Sequence, residues 1–464
     1  MARPQIADFG VRTVALVGFV AVIYSNSPGH LTYDSIAQLH EGRTGIRETW
    51  GPAFYSWLLG TCDRLITGTS FYVFITAGVF FGSLATLPRL RTRVSWWAVV
   101  AAIAACLTPH VLIGQGIVWK DIAFANAAVA GLIALAHAER SWDERPLRWT
   151  ALAITLCLLA FAAQLRQNGA IVGVIAALGL GVIASRGNWQ RGAAWTAGAT
   201  VVYLITIQLL GMASLATLKV NPSVPTGAGV VFGIRLIQSY DLAGAVTHDR
   251  SYDLDVVERA TPEAAQTIED HAPGVYSPQR VDLLDRDPAL SAAMNTVTND
   301  AIMAQWIDLV SKRPDLYLRT RVGIFRWLIA PPIIDACLPI TVGVSASPEV
   351  LQKAGLAARR TQQDGRLYNY TTWFLDTPVY SHGFYAVLSA AMSVVFLWRR
   401  RSGDLAMASL QFSSLAVAAS FFVINIACDW RYLYFTDLAA MVGVIYFALD
   451  FRLPRRRRVG RNQN

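Results

Sequence analysis

Apolar runs of about 20 residues recur along most of this 464-residue chain, separated by short arginine-bearing links. A helix needs about that length to cross the hydrocarbon core of a bilayer. Length alone suggests about three soluble domains, but the chain is 54% hydrophobic and only 15% charged, with a net charge of +9. The expected fold is therefore all-α, a polytopic membrane protein.

The charge is unevenly placed. Between Asp241 and Asp315 stand 14 Asp/Glu against 6 Lys/Arg, a local balance of −8, so the remainder carries +17. Much of that positive charge clusters at the ends of apolar runs, where arginine marks the cytoplasmic side. It orients the chain in the bilayer and is no sign of a nucleic-acid partner.

Ten spans fit this rule, at residues 11–27, 71–87, 94–113, 119–137, 149–165, 169–185, 193–212, 380–398, 405–427 and 433–449. Arg3 and Arg12 hold the N-terminus inside, Arg89, Arg91 and Arg93 close the second span, and Arg399–Arg401 and Arg455–Arg458 close the eighth and tenth. The first 27 residues have the three-part form of a signal peptide and read as a retained first span. The chain divides into an N-terminal membrane module (1–212), an outer-face segment (213–379) and a C-terminal membrane module with a basic tail (380–464). This places both termini in the cytoplasm of a plasma-membrane protein.

Residues 28–66 form the first outer loop. Thr32 is placed to cap a short surface helix, on which Asp34, Gln38 and Glu41 share one face, and 51–66 form a second surface helix. Residues 317–334 are apolar yet carry Arg319, Arg321, Arg326 and Pro331-Pro332. An arginine at the centre of a span costs roughly 2.5–3.5 kcal/mol on insertion scales, so an interfacial amphipathic helix is expected. No internal repeat is visible, which disfavours inverted-repeat transporter folds. The five cysteines show no ligand spacing. Cys106 and Cys157 read as small core residues, Cys337 and Cys428 fall on the side that faces an oxidising compartment with nothing in the sequence to pair them, and the odd count argues against a full disulfide framework.

Four polar groups collect at the outer ends of different spans: Tyr33-Asp34 with Gln38, Trp119-Lys120-Asp121, Arg166-Gln167-Asn168-Gly169, and Asp429-Trp430-Arg431-Tyr432. Taken singly, each has a plain structural reading. Asp34 serves as a solvated cap, Lys120 pairs with Asp121, Arg166 snorkels, and Asp429 and Arg431 neutralise each other. Trp50, Trp57, Trp119, Trp430 and Tyr432 would form an interfacial belt. Taken together, ionisable groups facing a cavity at membrane ends mark a site.

Their chemistry fits transfer from a polyprenyl-phosphate sugar. Asp34 is the candidate general base for an acceptor hydroxyl. Arg166, Arg431 and Lys120 are candidates for the donor phosphate, where cations act on developing charge. Tyr33, Gln38, Asn168 and Tyr432 are candidate substrate contacts. The acceptor is a glycan, lipid or protein hydroxyl. No Walker A, HExxH or GxSxG motif is present, and no metal-ligand set is evident, although a divalent metal is possible.

These stretches, with Trp50-Gly51-Pro52, resemble bacterial members of the GT-C glycosyltransferase superfamily, in its protein mannosyltransferase-like and uncharacterised multi-span branches. The resemblance implies an inverting transferase working on the outer face, with Asp34 as the catalytic carboxylate and Asp121 as a second acidic residue. Where many relatives carry His-Pro in the first loop, this chain has Gly51-Pro52, which leaves that position without a donor or metal role. Two other classes stay open: a surface-glycan polymerase or ligase using a diphosphate lipid, and a lipid or solute transporter. A non-catalytic scaffold is a further alternative. The near absence of charge at span midpoints counts against transport.

Overall fold

The computed structural model describes residues 6–49, 51–215, 218–220, 228–337 and 339–452; Arg3, Trp50 and Arg455–Arg458 lie outside them. Ten α-helices precede residue 216: α1 (Ile6–Asn26), α2 (Tyr33–Thr44), α3 (Ala53–Leu65), α4 (Ser70–Thr86), α5 (Trp96–Leu107), α6 (Pro109–Leu112), α7 (Lys120–Arg140), α8 (Arg145–Leu165), α9 (Ala170–Ser185) and α10 (Trp189–Leu215). The next eight are α11 (Ala228–His248), α12 (Asp255–Ala260), α13 (Pro262–Val275), α14 (Pro288–Thr296), α15 (Asn299–Lys312), α16 (Pro314–Ile329), α17 (Pro348–Lys353) and α18 (Gln362–Thr372). Then α19 (His382–Arg399), α20 (Asp404–Ile424) and α21 (Tyr434–Leu449) close the bundle. The strands described are two residues each, Ile46–Arg47 beside Lys219–Val220. The fold is all-α.

Among the described residues, eight helices are long and apolar enough to cross a membrane, or nine if the bent pair α5/α6 is one span. The expected third span is that bent pair. Thr108 takes an extended conformation before Pro109, because the proline ring disfavours helix in the residue before it, and the chain turns by 65°. The expected eighth span is α19, an 18-residue helix with His382 and Arg399 at its ends, and it is not among the eight. Cys157 is exposed on the outside of α8 rather than in the core.

Helix α7 is the axis of the bundle. Its alanines and Gly131 are small enough for neighbours to approach closely, and 94% of its apolar window is buried, against 6% for the peripheral α10. A helix apolar all round belongs inside; here α4, α8, α20 and α21 surround it. Asn126 fixes its height. Its amide exchanges hydrogen bonds with Gln115 at 2.7 and 2.8 Å and donates to the Thr76 carbonyl at 2.9 Å. At one end of the bundle, buried Asp404 accepts from Arg91 and Arg399 and gathers the links between spans. The first turn of α7, with Lys120 and Asp121, opens at the other end.

The segment expected on the outer face is divided between two cores. Helices α11–α16 pack around Tyr240, Leu254, Ile268, Leu290, Ile302 and Ile324, whereas Leu328 to Leu367 join the membrane core. Helix α16 ends ahead of Pro331-Pro332. Arg321 is fully buried, 2.5 Å from Asp241, and donates to the Asn425 carbonyl at 2.9 Å. It ties the outer segment to the loop after α20. The same loop is joined to the outer segment by a Cys337–Cys428 disulfide, a pairing that spacing alone does not indicate.

Candidate active site

Helix α2 is held against α3 by direct backbone approach. A Cβ added at Gly42 would lie 2.2 Å from the Ser56 carbonyl and 2.6 Å from the Gly60 nitrogen, so only glycine fits. Glu41, on the same helix, is buried. It accepts from Ser56 Oγ at 2.6 Å, from the Glu48 amide at 2.7 Å and from the Thr49 amide, which shapes the turn leading to Pro52. The expected face of α2 therefore splits. Asp34 opens to a cavity, while Gln38 and Glu41 are buried under the turn.

That cavity has a volume of about 220 Å³ and is lined on one side by Asp34, Lys120, Asp121, Arg166, Asn168 and Arg431. Tyr432 and Pro52 complete that side. Seven of the nine residues singled out in the sequence thus share one space. Tyr33 and Gln38 do not line it: Tyr33 is 56% exposed and Gln38 is buried beneath Gly51. Trp119 and Trp430 are 3% and 2% exposed, which makes them core residues instead of an interfacial belt. Trp119 Nε1 donates to Thr32 Oγ1 at 2.9 Å, coupling the start of α7 to the start of α2.

Arg431 is the hub. Its Nη2 lies 2.6 Å from Asp34, and its Nε lies 2.8 Å from Asp429 and 4.0 Å from Asp121. Its guanidinium also lies over Trp119 at 5.3 Å, within the range of a cation–π contact. Arg166 is committed twice, to Asp121 at 2.6 Å and to the Tyr432 carbonyl at 3.1 Å. It is wedged over Phe421 at 4.9 Å. Lys120 differs: it lines the cavity, and among the described residues it makes no hydrogen bond or ion pair. Asn168 donates to Ser420 Oγ at 2.9 Å and so spends its amide on the wall.

The carboxylates at the rim feel opposite net effects. Burial raises Asp34, but Arg431 and then Lys120 outweigh it and hold the group below its ordinary 3.8. Asp429 moves up from 3.8, because burial outweighs the pull of Arg431. Asp34 faces the cavity, and its side chain is 39% exposed.

Two features escaped the sequence. The far wall of the cavity is apolar and comes from α11 and the end of α20: Phe232, Ile234, Leu236, Ile237, Ile424 and Ile426. Nothing in the spacing of residues 228–248 says that this helix folds back over the first loop. Behind the site, a buried trio supports Trp430. His110 Nε2 and His382 Nδ1 lie 3.1 and 2.9 Å from the two Asp437 oxygens. The His110 and His382 rings lie 4.5 and 5.9 Å from the Trp430 ring. This holds Trp430 in place, and with it the adjacent Arg431.

Among the described residues no group of three or more His, Cys, Asp and Glu is arranged to hold a metal ion. Asp34, Asp121 and Asp429 do converge, but on a guanidinium. A larger apolar crevice of about 560 Å³ between α8, α9 and α10 shares none of the cavity residues.

No family model matches the chain, and no curated protein matches it. Among solved structures it is similar to an archaeal oligosaccharyltransferase from Archaeoglobus fulgidus, in complex with an inhibitory peptide and a dolichol-phosphate. That match has a TM-score of 0.40 and 12% identity, covering 94% of this chain and 50% of that one. The Archaeoglobus fulgidus oligosaccharyltransferase in complex with Zn and sulfate matches with a TM-score of 0.40 and 14% identity, covering 94% and 48%. The chain spans about half the length of the solved structures it matches.

Proposed function

We propose that the protein is a membrane glycosyltransferase of GT-C type that moves a sugar from a polyprenyl-phosphate donor to an acceptor hydroxyl on the outer face, with inversion. One observation carries the reading: two carboxylates, an ammonium and two guanidiniums, brought from four parts of the chain, line one small cavity at the end of the spans.

In this reading Asp34 accepts the proton of the acceptor hydroxyl. The acceptor oxygen attacks the anomeric carbon from the face opposite the phosphate, and the bond from that carbon to the phosphate oxygen breaks. The lipid phosphate leaves with the electron pair. Lys120, which makes no hydrogen bond or close ion pair among the described residues, takes the phosphate first. Arg431 joins it as the phosphate displaces Asp34 from Nη2, since guanidinium and phosphate make charge-assisted bonds of the same kind. Release from Arg431 returns basicity to Asp34 at the moment it is needed, because a base works best with a pKa close to the working pH. Asp121 positions Arg166, and Tyr432 lies beside both arginines.

The apolar wall suits the first part of an isoprenoid chain, and the cavity is of the size of a single sugar ring. The acceptor is a glycan, lipid or protein. Purified protein is offered labelled polyprenyl-phosphate monosaccharides beside diphosphate-linked oligosaccharides. Transfer or slow hydrolysis of the monophosphate donors is the expected result. Turnover of the diphosphate donors alone would replace this reading with a polymerase or ligase.

A further inference from the structure

The loop that carries Arg431 lines both sides of the cavity. Ile424 and Ile426 belong to its apolar wall, Arg431 and Tyr432 to its charged one. Cys428 stands between them, three residues ahead of Arg431. The chain then enters the tight turn Trp430–Leu433, which Asp429 caps by accepting the Arg431 amide at 3.4 Å. Three residues span at most about 10 Å, so the position of Cys428 limits where the guanidinium can reach.

What holds Cys428 comes from the outer segment. Its amide donates to the Gln279 carbonyl at 2.8 Å, and the Ile426 carbonyl accepts from the Val281 amide at 2.8 Å. The side chains of Gln279 and Arg280 donate to the Ala336 carbonyl at 3.0 and 2.9 Å. Cys337, next to Ala336, closes this layer through the disulfide to Cys428, and both cysteines are buried. Of these ties the disulfide is the covalent one; each hydrogen bond can be exchanged for one to water at small net cost.

Arg431 needs such an anchor. Its close contacts on the carboxylate side are Asp34 and Asp429, and in the proposed reaction the phosphate displaces the first of them. A misplacement of about 1 Å can cost about 10²-fold in rate.

We propose that the Cys337–Cys428 disulfide is a positioning element of this site, setting the reach of Arg431 toward the donor phosphate. The inference rests on the proposed reaction for the identity of the ligand. The proposed outer-face placement is also where a disulfide persists.

The test is calorimetric binding of geranylgeranyl monophosphate to the purified full-length protein, run as a double-mutant cycle. The four proteins are wild type, Cys337→Ser with Cys428→Ser, Arg431→Gln, and the three changes combined. The serine variant and Arg431→Gln should each bind about tenfold more weakly than wild type. The combined variant should stay within about twofold of Arg431→Gln alone, because the two changes remove one interaction.

Losses that multiply would make the disulfide a staple of the fold and overturn the proposal, as would a folded serine variant that binds like wild type. If the serine variant does not fold, wild type and Arg431→Gln are compared before and after reduction, with free thiols counted from three to five. Reduction should then weaken wild type alone, and reoxidation should restore it; binding unchanged by reduction would overturn the proposal. Turnover of polyprenyl-phosphate sugars is read in parallel. If wild type binds the phosphate and turns over no donor, the reaction reading falls, while the cycle still decides the disulfide. A wild type that binds no isoprenyl phosphate overturns both.

Discussion

Arg431 Nη2 lies 2.6 Å from the carboxylate of Asp34, so the proposed base and a proposed ligand of the donor phosphate hold each other at the cavity. Burial raises the Asp34 carboxyl, and Arg431 with Lys120 more than reverses this, leaving it below 3.8. A base must be ionised, so activity should persist as pH falls and fail only below the ordinary carboxylate range. Replacing Arg431 with Gln removes the larger opposing charge. The acid limb of kcat/KM should then move to higher pH, measured as a pH–rate profile of both proteins. An unmoved limb would separate Asp34 from the base role.

Lys120 opens on the cavity with no ion pair or hydrogen bond among the described residues. Lys120→Met keeps most of the stem and removes the charge. A bond to a charged group is worth about 1.5–3 kcal/mol, so kcat/KM for the donor should fall roughly 10- to 150-fold. The KM for the acceptor should stay within about twofold. Steady-state kinetics with each substrate varied in turn checks this, and an effect confined to the acceptor would move Lys120 to the other substrate.

His30 supplies a pH dependence of stability. Its Nδ1 accepts the Gly343 amide at 2.9 Å and its Nε2 donates to Asn26 at 2.9 Å, so the neutral ring joins the first outer loop to the outer segment. Burial lowers its pKa from 6.5 to about 4, against the opposing pull of Asp364. Below pH 6.5 the unfolded chain takes up a proton that the folded ring refuses until about pH 4. Stability is therefore complete above 6.5 and falls as pH drops through that window, by up to about 3 kcal/mol. Thermal melts of wild type from pH 7.5 to 4.5 should show this loss, and His30→Gln should show a shallower one.

The sequence indicated the site where its signal was local. Asp34, Lys120, Asp121, Arg166, Asn168, Arg431 and Tyr432 all lie at span ends on one side, and the alternation of spans was enough to group them. Gln38 failed because helical spacing names a face without saying what covers it. Here the turn shaped by Glu41 covers it. Tyr33 failed for the opposite reason, being on the open side of α2. Asp429 was visible beside Arg431, yet a two-residue pair looks the same whether it is idle or shared with Asp34. The apolar wall of α11 and the His110–Asp437–His382 trio are long-range meetings, and no period in the chain encodes them.

The most direct test compares wild type with Asp34→Asn in the transfer of label from a panel of polyprenyl-phosphate sugars, with both proteins purified and shown to be folded. Asn matches the shape of Asp and cannot take the proton, and general bases contribute about 10²–10⁴-fold. Turnover by wild type with a loss of that size in the variant is the predicted result. Equal turnover by the two proteins would contradict the central claim.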